Sequence, residues 1–294
     1  MENFQAQYGR YREMVEEYLH QMFDNPGNSG QRPWEKLWEA MGYSVLAGGK
    51  RVRPVLTLAV CEALGGKAED ALPLGCALEL VHTYSLIHDD LPCMDDDDLR
   101  RGRPTCHKVY GEAMAVLAGD ALQPEAFRMI ARAELGAQQK AAAVQALAHA
   151  CGGDGMVAGQ VMDVECLAGD EASLRQLCRL KTGALLCAAA ELGCIAADGS
   201  DQQRRQAVIY AEHVGLAFQV RDDMLDVIAD QDVFGKPVGS DREEGKQTFA
   251  DLRGLDGCGK LVEEETWLAK EAISGFPDNA FLLALADALA ERRK

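Results

Sequence analysis

Six aspartates lie within one short stretch, at Asp89, Asp90, Asp95, Asp96, Asp97 and Asp98, and arginines follow at Arg100, Arg101 and Arg103. An apolar run, Ala77 to Ile87, leads into them. Carboxylates this dense repel one another unless water solvates them or they share a cation. The chain must therefore fold so that an apolar helix ends at a wet or cation-filled cleft. Hard oxygen ligands suit Mg²⁺, which keeps several waters and usually shares its site with substrate phosphates. The adjacent guanidinium groups match phosphate in a bidentate fork. An isolated acidic run is more often a solvated loop, but this one has a counterpart.

The counterpart is Phe218-Gln219-Val220-Arg221-Asp222-Asp223-Met224-Leu225-Asp226, again at the end of an apolar helical pattern, Val208 to Val220. Asp222 and Asp226 are i and i+4, so a helix stacks both carboxylates on one face, roughly 6 Å apart. Like charges at that spacing cost a few tenths of a kcal/mol and serve no packing purpose. Two such clusters facing each other across a helical bundle can clamp Mg²⁺ ions around a diphosphate.

Composition supports helix: 48% of residues are apolar and only 6% aromatic, and Ala and Leu are abundant. A net charge of −17 argues against a nucleic-acid or anionic-membrane partner, so an anionic substrate needs local cations. The ten cysteines are scattered, with no C-x-x-C pair, and read as reduced thiols. The amphipathic, charged start, Met1 to Phe23, is no signal sequence, and no apolar run reaches the ~20 residues that span a bilayer. A cytoplasmic protein is expected.

Helical patterns run over 2–23, 34–46, 54–64, 70–91, 111–135, 139–150, a stretch carrying Gln160 and Asp163, 171–192, 202–229, 258–273 and 279–292. No segment alternates with period two, and no linker or repeat divides the chain. The expectation is one all-α domain, 1–294, a bundle of roughly ten or more helices.

Cations recur between the acidic clusters. Gly48-Gly49-Lys50-Arg51-Val52-Arg53-Pro54 sets three at a helix start, where glycines admit close approach and the helix terminus favours an anion. Lys181-Thr182-Gly183 sits inside an apolar helix, where a lysine by itself is more often a snorkelling side chain. Gly235-Lys236 and Gly245-Lys246 follow the second aspartates. His82, two turns before Asp89, lies near the same face, and no H-E-x-x-H or His/Cys zinc spacing occurs.

These motifs, in this order and at these spacings, resemble the trans-type isoprenyl diphosphate synthases, and within them the bacterial farnesyl diphosphate synthases. The likeness runs from about residue 40 to 250. It implies an all-α fold around a deep central cavity. It implies three Mg²⁺ ions, with Mn²⁺ as an alternative, held by Asp89, Asp95 and Asp222, with Asp90, Asp223 and Asp226 in the same motifs. Arg100, Lys181 and Lys236 would hold the allylic diphosphate (dimethylallyl or geranyl), with Lys246 nearby. Gly49, Lys50, Arg53, His82 and Arg101 would hold isopentenyl diphosphate. Thr182 and Gln219, beside Phe218, would steady a developing carbocation. A homodimer also follows from the resemblance, which leaves open whether the C-terminal Arg292-Arg293-Lys294 closes over the site.

The first motif has four residues between Asp90 and Asp95, including Pro92. Asp89 and Asp95 lie about −120° apart on an ideal helix, so Pro92 must kink or end it. This pattern also fits plant-type geranylgeranyl synthases, so product length rests on other residues. A chain growing away from the metals runs toward the N-terminus of the Asp89 helix. Tyr84 lies about 7.5 Å upstream but ~140° from Asp89, whereas Ser85 is only ~40° away. Periodicity selects Ser85, and the resemblance selects Tyr84. A terpene cyclase lacks a use for Lys50 and Arg53, and a catalytically silent regulatory subunit tends to lose an aspartate motif.

Overall fold

The computed structural model describes residues 2–24, 33–228 and 247–292. The first half contains α1 (Glu2–Asp24), α2 (Glu35–Val45), α3 (Val52–Ala63), α4 (Ala68–Asp89), α5 (Cys106–Tyr110), α6 (Glu112–Arg132) and α7 (Ala137–Cys151). The second contains α8 (Met156–Val164), α9 (Glu171–Cys178), a π turn (Arg179–Gly183), α10 (Ala184–Ala196), α11 (Asp201–Ile228), α12 (Phe249–Ala272) and α13 (Ala280–Ala290). Among the described residues the fold is all-α apart from one feature that the periodicity does not show. Leu99–Arg100 and Arg103–Pro104 form β1 and β2, a two-residue antiparallel hairpin just after the first acidic cluster.

α4 is the central helix. Leu74, Leu78, Leu80 and Val81 are wholly buried, and buried residues occur all around it rather than on one stripe. That is the signature of a helix enclosed by others. α3 and α10 enclose it at close range. A Cβ on Gly75 of α4 would meet the Pro54 backbone of α3 at 3.1 Å, and α10 packs as closely on α3, where a Cβ on Gly193 would meet the Thr57 carbonyl at 2.3 Å. Tyr11, Val15 and Leu19 of α1 are buried against this core.

A buried charge network ties the first three packed layers together. Arg51, left-handed at φ 52° before α3, donates to Glu79 of α4 at 2.8 Å, Glu16 of α1 at 2.9 Å and the Val45 carbonyl at 2.7 Å. Burial opposes its charge, but the two glutamates hold the guanidinium above its ordinary range. A smaller apolar cluster (Leu174, Val220, Met224, Phe249 and Leu261) joins α9, α11 and α12.

Two helices differ from their sequence patterns for local reasons. The run expected over 171–192 is α9 and α10 joined by the five-residue π turn, which rephases the helix within one apolar pattern. α12 begins at Phe249, not 258, because Thr248 caps it by accepting from Asp251 N–H. Gly254, at φ 65° and ψ 170°, then kinks it, which breaks the period before residue 258.

Candidate active site

α4 ends at Asp89, and the chain turns at once through Leu91-Pro92. Asp95 N–H donates to the Asp89 carbonyl at 2.9 Å, and Asp96 N–H to that of Leu91 at 3.2 Å. This tight turn, with Asp96 at φ 51°, is how two aspartates six residues apart come together. Asp89 is pushed up to about 6, first by burial, with the Asp95 charge adding to it and Lys181 opposing it.

A cavity of about 560 Å³ opens beside Asp89. Its lining mixes polar side chains (Arg53, His82, Lys181 and Thr182) with apolar or aromatic ones (Tyr84, Met156, Val157 and Leu185). Ser85 lines it as well, so the choice between Tyr84 and Ser85 is not one of access.

Lys181 and Thr182 reach the cavity from the π turn. Lys181 Nζ pairs with Asp163 Oδ2 of α8 at 2.6 Å. Thr182 Oγ1 donates to Gln219 Oε1 at 3.2 Å, and Gln219 Nε2 donates to Asp223 Oδ1 at 3.0 Å. α8 packs tightly on this turn: a Cβ on Gly159 would lie 2.2 Å from Lys181 N. Asp163 and Gln160, whose buried Nε2 has no hydrogen-bond partner, are functional candidates that the motif reading left without a role. The available signal was Gly159 beside them, a glycine inside an apolar helix.

The cations divide by what they touch. Arg51 is consumed by Glu16 and Glu79. Arg53 is held below its ordinary range by burial, with nearby Arg101 adding to it, and its buried Nε has no partner. Arg101, at φ 54°, donates to the Gly48 carbonyl. Its guanidinium occupies the space where a Gly49 Cβ would be, 2.7 Å away, and Gly49 at φ 140° is the residue that permits this. Burial and the guanidinium groups of Arg53, Arg101 and Arg100 keep His82 well below the histidine range, hence neutral. Lys50 is lowered by burial and by Arg292.

Two aspartates expected in the metal motifs have positioning contacts. Buried Asp90 accepts from Arg100 Nε at 2.6 Å. Asp223 Oδ2 accepts from the Phe249 backbone N–H at 2.8 Å, fastening α12 to α11 while its other oxygen holds Gln219. The physical reason is burial, which demands that every carboxylate oxygen find a donor. Asp222 faces a different neighbour: Arg292, after α13, pairs with it and lies 4.0 Å over the Phe218 ring. Arg292 is lowered to about 10 by burial and by Arg221. Asp222 and Asp226 are not among the residues lining the cavity, and among the described residues no three His, Cys, Asp or Glu side chains form a ready metal site. Lys236, Lys246, Arg293 and Lys294 lie outside the described residues. Among the described residues no helix is long and apolar enough to cross a membrane.

Comparison with known proteins gives a consistent result. A farnesyl diphosphate synthase of Bacillus subtilis (strain 168) is 43% identical over 88% of this chain and 89% of its own length. A chloroplastic geranylgeranyl pyrophosphate synthase of Capsicum annuum is 46% identical over 87% of this chain and 71% of its own. The crystal structure of an FPP/GFPP synthase from Zymomonas mobilis superposes with a TM-score of 0.86 at 36% identity, covering 97% of this chain and 99% of that one. Residues 35–271, which carry the GGKRVRP segment, the first acidic cluster, Lys181-Thr182 and the second cluster, match the family described as polyprenyl synthetase, and the chain belongs to that family.

Proposed function

We propose that the protein condenses isopentenyl diphosphate with dimethylallyl and then geranyl diphosphate to make farnesyl diphosphate, releasing diphosphate, and that the whole chain acts as one domain. The observation that carries this reading is one cavity whose lining joins Asp89, Lys181, Arg53 and neutral His82 to apolar residues such as Met156, Val157 and Leu185. Such a pocket suits a substrate with an anionic head and a hydrocarbon tail.

Mg²⁺ fits the residues present. Burial and Asp95 work against the charge of Asp89, which a divalent cation relieves. Single carboxylates from two clusters leave most positions to water and diphosphate oxygens, as Mg²⁺ prefers. Asp89, Asp95, Asp222 and Asp226 would hold the metal, three ions by family resemblance, while Asp90 and Asp223 orient their neighbours. When bound, the metal draws charge off the departing diphosphate. Arg100, Lys181 and Lys236 hold that diphosphate, and Arg53, Arg101 and Lys50 hold the second substrate's. The Thr182 and Gln219 oxygen dipoles lie beside the allylic cation, and the apolar wall excludes water from it. The homoallylic double bond attacks, and the proton is lost to the released diphosphate.

Purified protein with Mg²⁺, isopentenyl diphosphate and dimethylallyl diphosphate should yield a fifteen-carbon product. Absence of any prenyl product would sink the reading in favour of a silent subunit. A twenty-carbon product is the second reading, favoured by the 46% identity to a geranylgeranyl synthase. As a floor, Tyr84 would separate the two readings: it is buried at 6% exposure and lines the cavity. Tyr84→Ala should shift the product toward twenty or more carbons, read by chromatography of the dephosphorylated alcohols.

Arg53→Ala should raise the KM for isopentenyl diphosphate by the equivalent of roughly 1.5–3 kcal/mol, the worth of a charge-assisted contact. The allylic KM should change far less. Equal weakening of both would mean one shared cationic field. A homodimer is part of the same proposal, supported by the exposed apolar residues Val116 and Leu117 of α6 and Val144 of α7; light scattering tests it. The ten free thiols support a reducing, cytoplasmic setting.

A further inference from the structure

A floor works only if it is held in place, and Tyr84 borders open cavity, as does His88. One turn along α4, the His88 ring meets the Tyr84 ring edge-on, with centroids 5.8 Å apart and planes at 71°. His88 is fixed in turn from outside its own helix. Its Nε2 lies 3.1 Å from the Val116 carbonyl of α6. A carbonyl only accepts, so Nε2 carries the proton and donates it. The ring then fills the space over Gly119, where a Cβ would come within 2.1 Å of Nε2, 2.5 Å of Cδ2 and 2.8 Å of Cε1. A glycine inside a 21-residue helix weakens that helix. Here the missing Cβ makes room for an imidazole.

We propose that His88 is a positioning residue for product length. Seated on Gly119 and Val116 of α6, it holds the Tyr84 ring across the end of the cavity. The proposal rests on the reading of Tyr84 as the floor. The depth of the cavity then depends on the fit between α4 and α6 rather than on Tyr84 alone, and residues far from the diphosphates come to govern chain length. Gly119 is one: it touches the imidazole and not the cavity.

The test compares product distributions of four variants with wild type, at saturating Mg²⁺ and both substrates. His88→Ala removes the brace and should raise the ratio of the next longer product to the wild-type product by roughly three- to tenfold, the range one aromatic contact spans. Tyr84→Ala, which removes the floor itself, should raise it further. His88→Phe keeps a ring against Tyr84 and should return the ratio toward wild type. Gly119→Ala unseats the imidazole from α6 and should raise the ratio as His88→Ala does. A purely structural role would lower the melting temperature without moving these ratios. If His88→Ala keeps the wild-type ratio while Tyr84→Ala lengthens the product, Tyr84 is a floor that needs no brace and the proposal fails alone. If neither variant alters length, the floor reading and the brace fail together. Should His88→Ala not fold, a wild-type ratio in Gly119→Ala overturns the proposal by itself.

Discussion

Asp89→Ala lowers turnover by on the order of 10³ or more, since the carboxylate's share of metal-borne charge stabilisation is worth several kcal/mol. The fold should survive, because Asp89 ends its helix and makes its one described loop contact through its backbone carbonyl. Asp222→Ala should cost a similar factor by the same logic, and it also releases Arg292 from its carboxylate. Asp223→Ala is the instructive contrast. It removes the acceptor for both Gln219 and the Phe249 N–H, so it should loosen the start of α12 and reduce stability as well as rate. Turnover at saturating Mg²⁺, with circular dichroism on each variant, separates the cases. Near wild-type turnover in either Asp89→Ala or Asp222→Ala would remove the two-cluster clamp.

Arg51→Ala, by contrast, should destabilise the protein by about 3–5 kcal/mol, the cost of stranding one member of a buried ion pair. Its side chain is fully buried, and Glu79, at 2% exposure, would be left charged without its partner. The double change Arg51→Met with Glu79→Met removes both charges and should recover much of the loss, because two buried charges offset most of their own attraction in desolvation. Urea midpoints read both. A midpoint for Arg51→Ala equal to wild type would mean that water reaches Glu79. Arg53→Ala, two residues away, should leave the midpoint nearly unchanged, since its Nε has no protein partner to lose.

That difference between Arg51 and Arg53 marks where sequence reading stops. The GGKRVRP segment shows three cations at a helix start, but nothing local says that one of them faces Glu16 and Glu79. Those partners lie 35 and 28 residues away, and only the packing of α1 and α4 brings them in. The helices were legible because their apolar periods are strong, as was the end of α4, which Pro92 requires. The hairpin at Leu99–Pro104 was not, since two-residue strands are too short for alternation to register. Gln160 and Asp163 carry no motif of their own. Asp163 gains its meaning from Lys181, 18 residues on, across a helix contact that Gly159 permits. Ser85 and Tyr84 both reach the cavity because it borders more than one face of α4, so an angle measured from Asp89 does not choose between them.

The π turn at Arg179–Gly183 carries a lesson about how this segment can vary. One residue beyond the α-helical count rotates everything after it by about 100°. α10 therefore presents Leu186, Ala189 and Leu192 to the core while Lys181 and Thr182 address the cavity. No exchange of side chains can undo that phase, but loss of a single residue would. Such a deletion leaves a better-bonded helix and a worse enzyme, either with lysine and threonine turned away or with the α10 core face turned out. Lys181 and Thr182 fix two side chains of this stretch and the π turn fixes its length, so a shortening here would need an insertion within the same few residues to keep both faces.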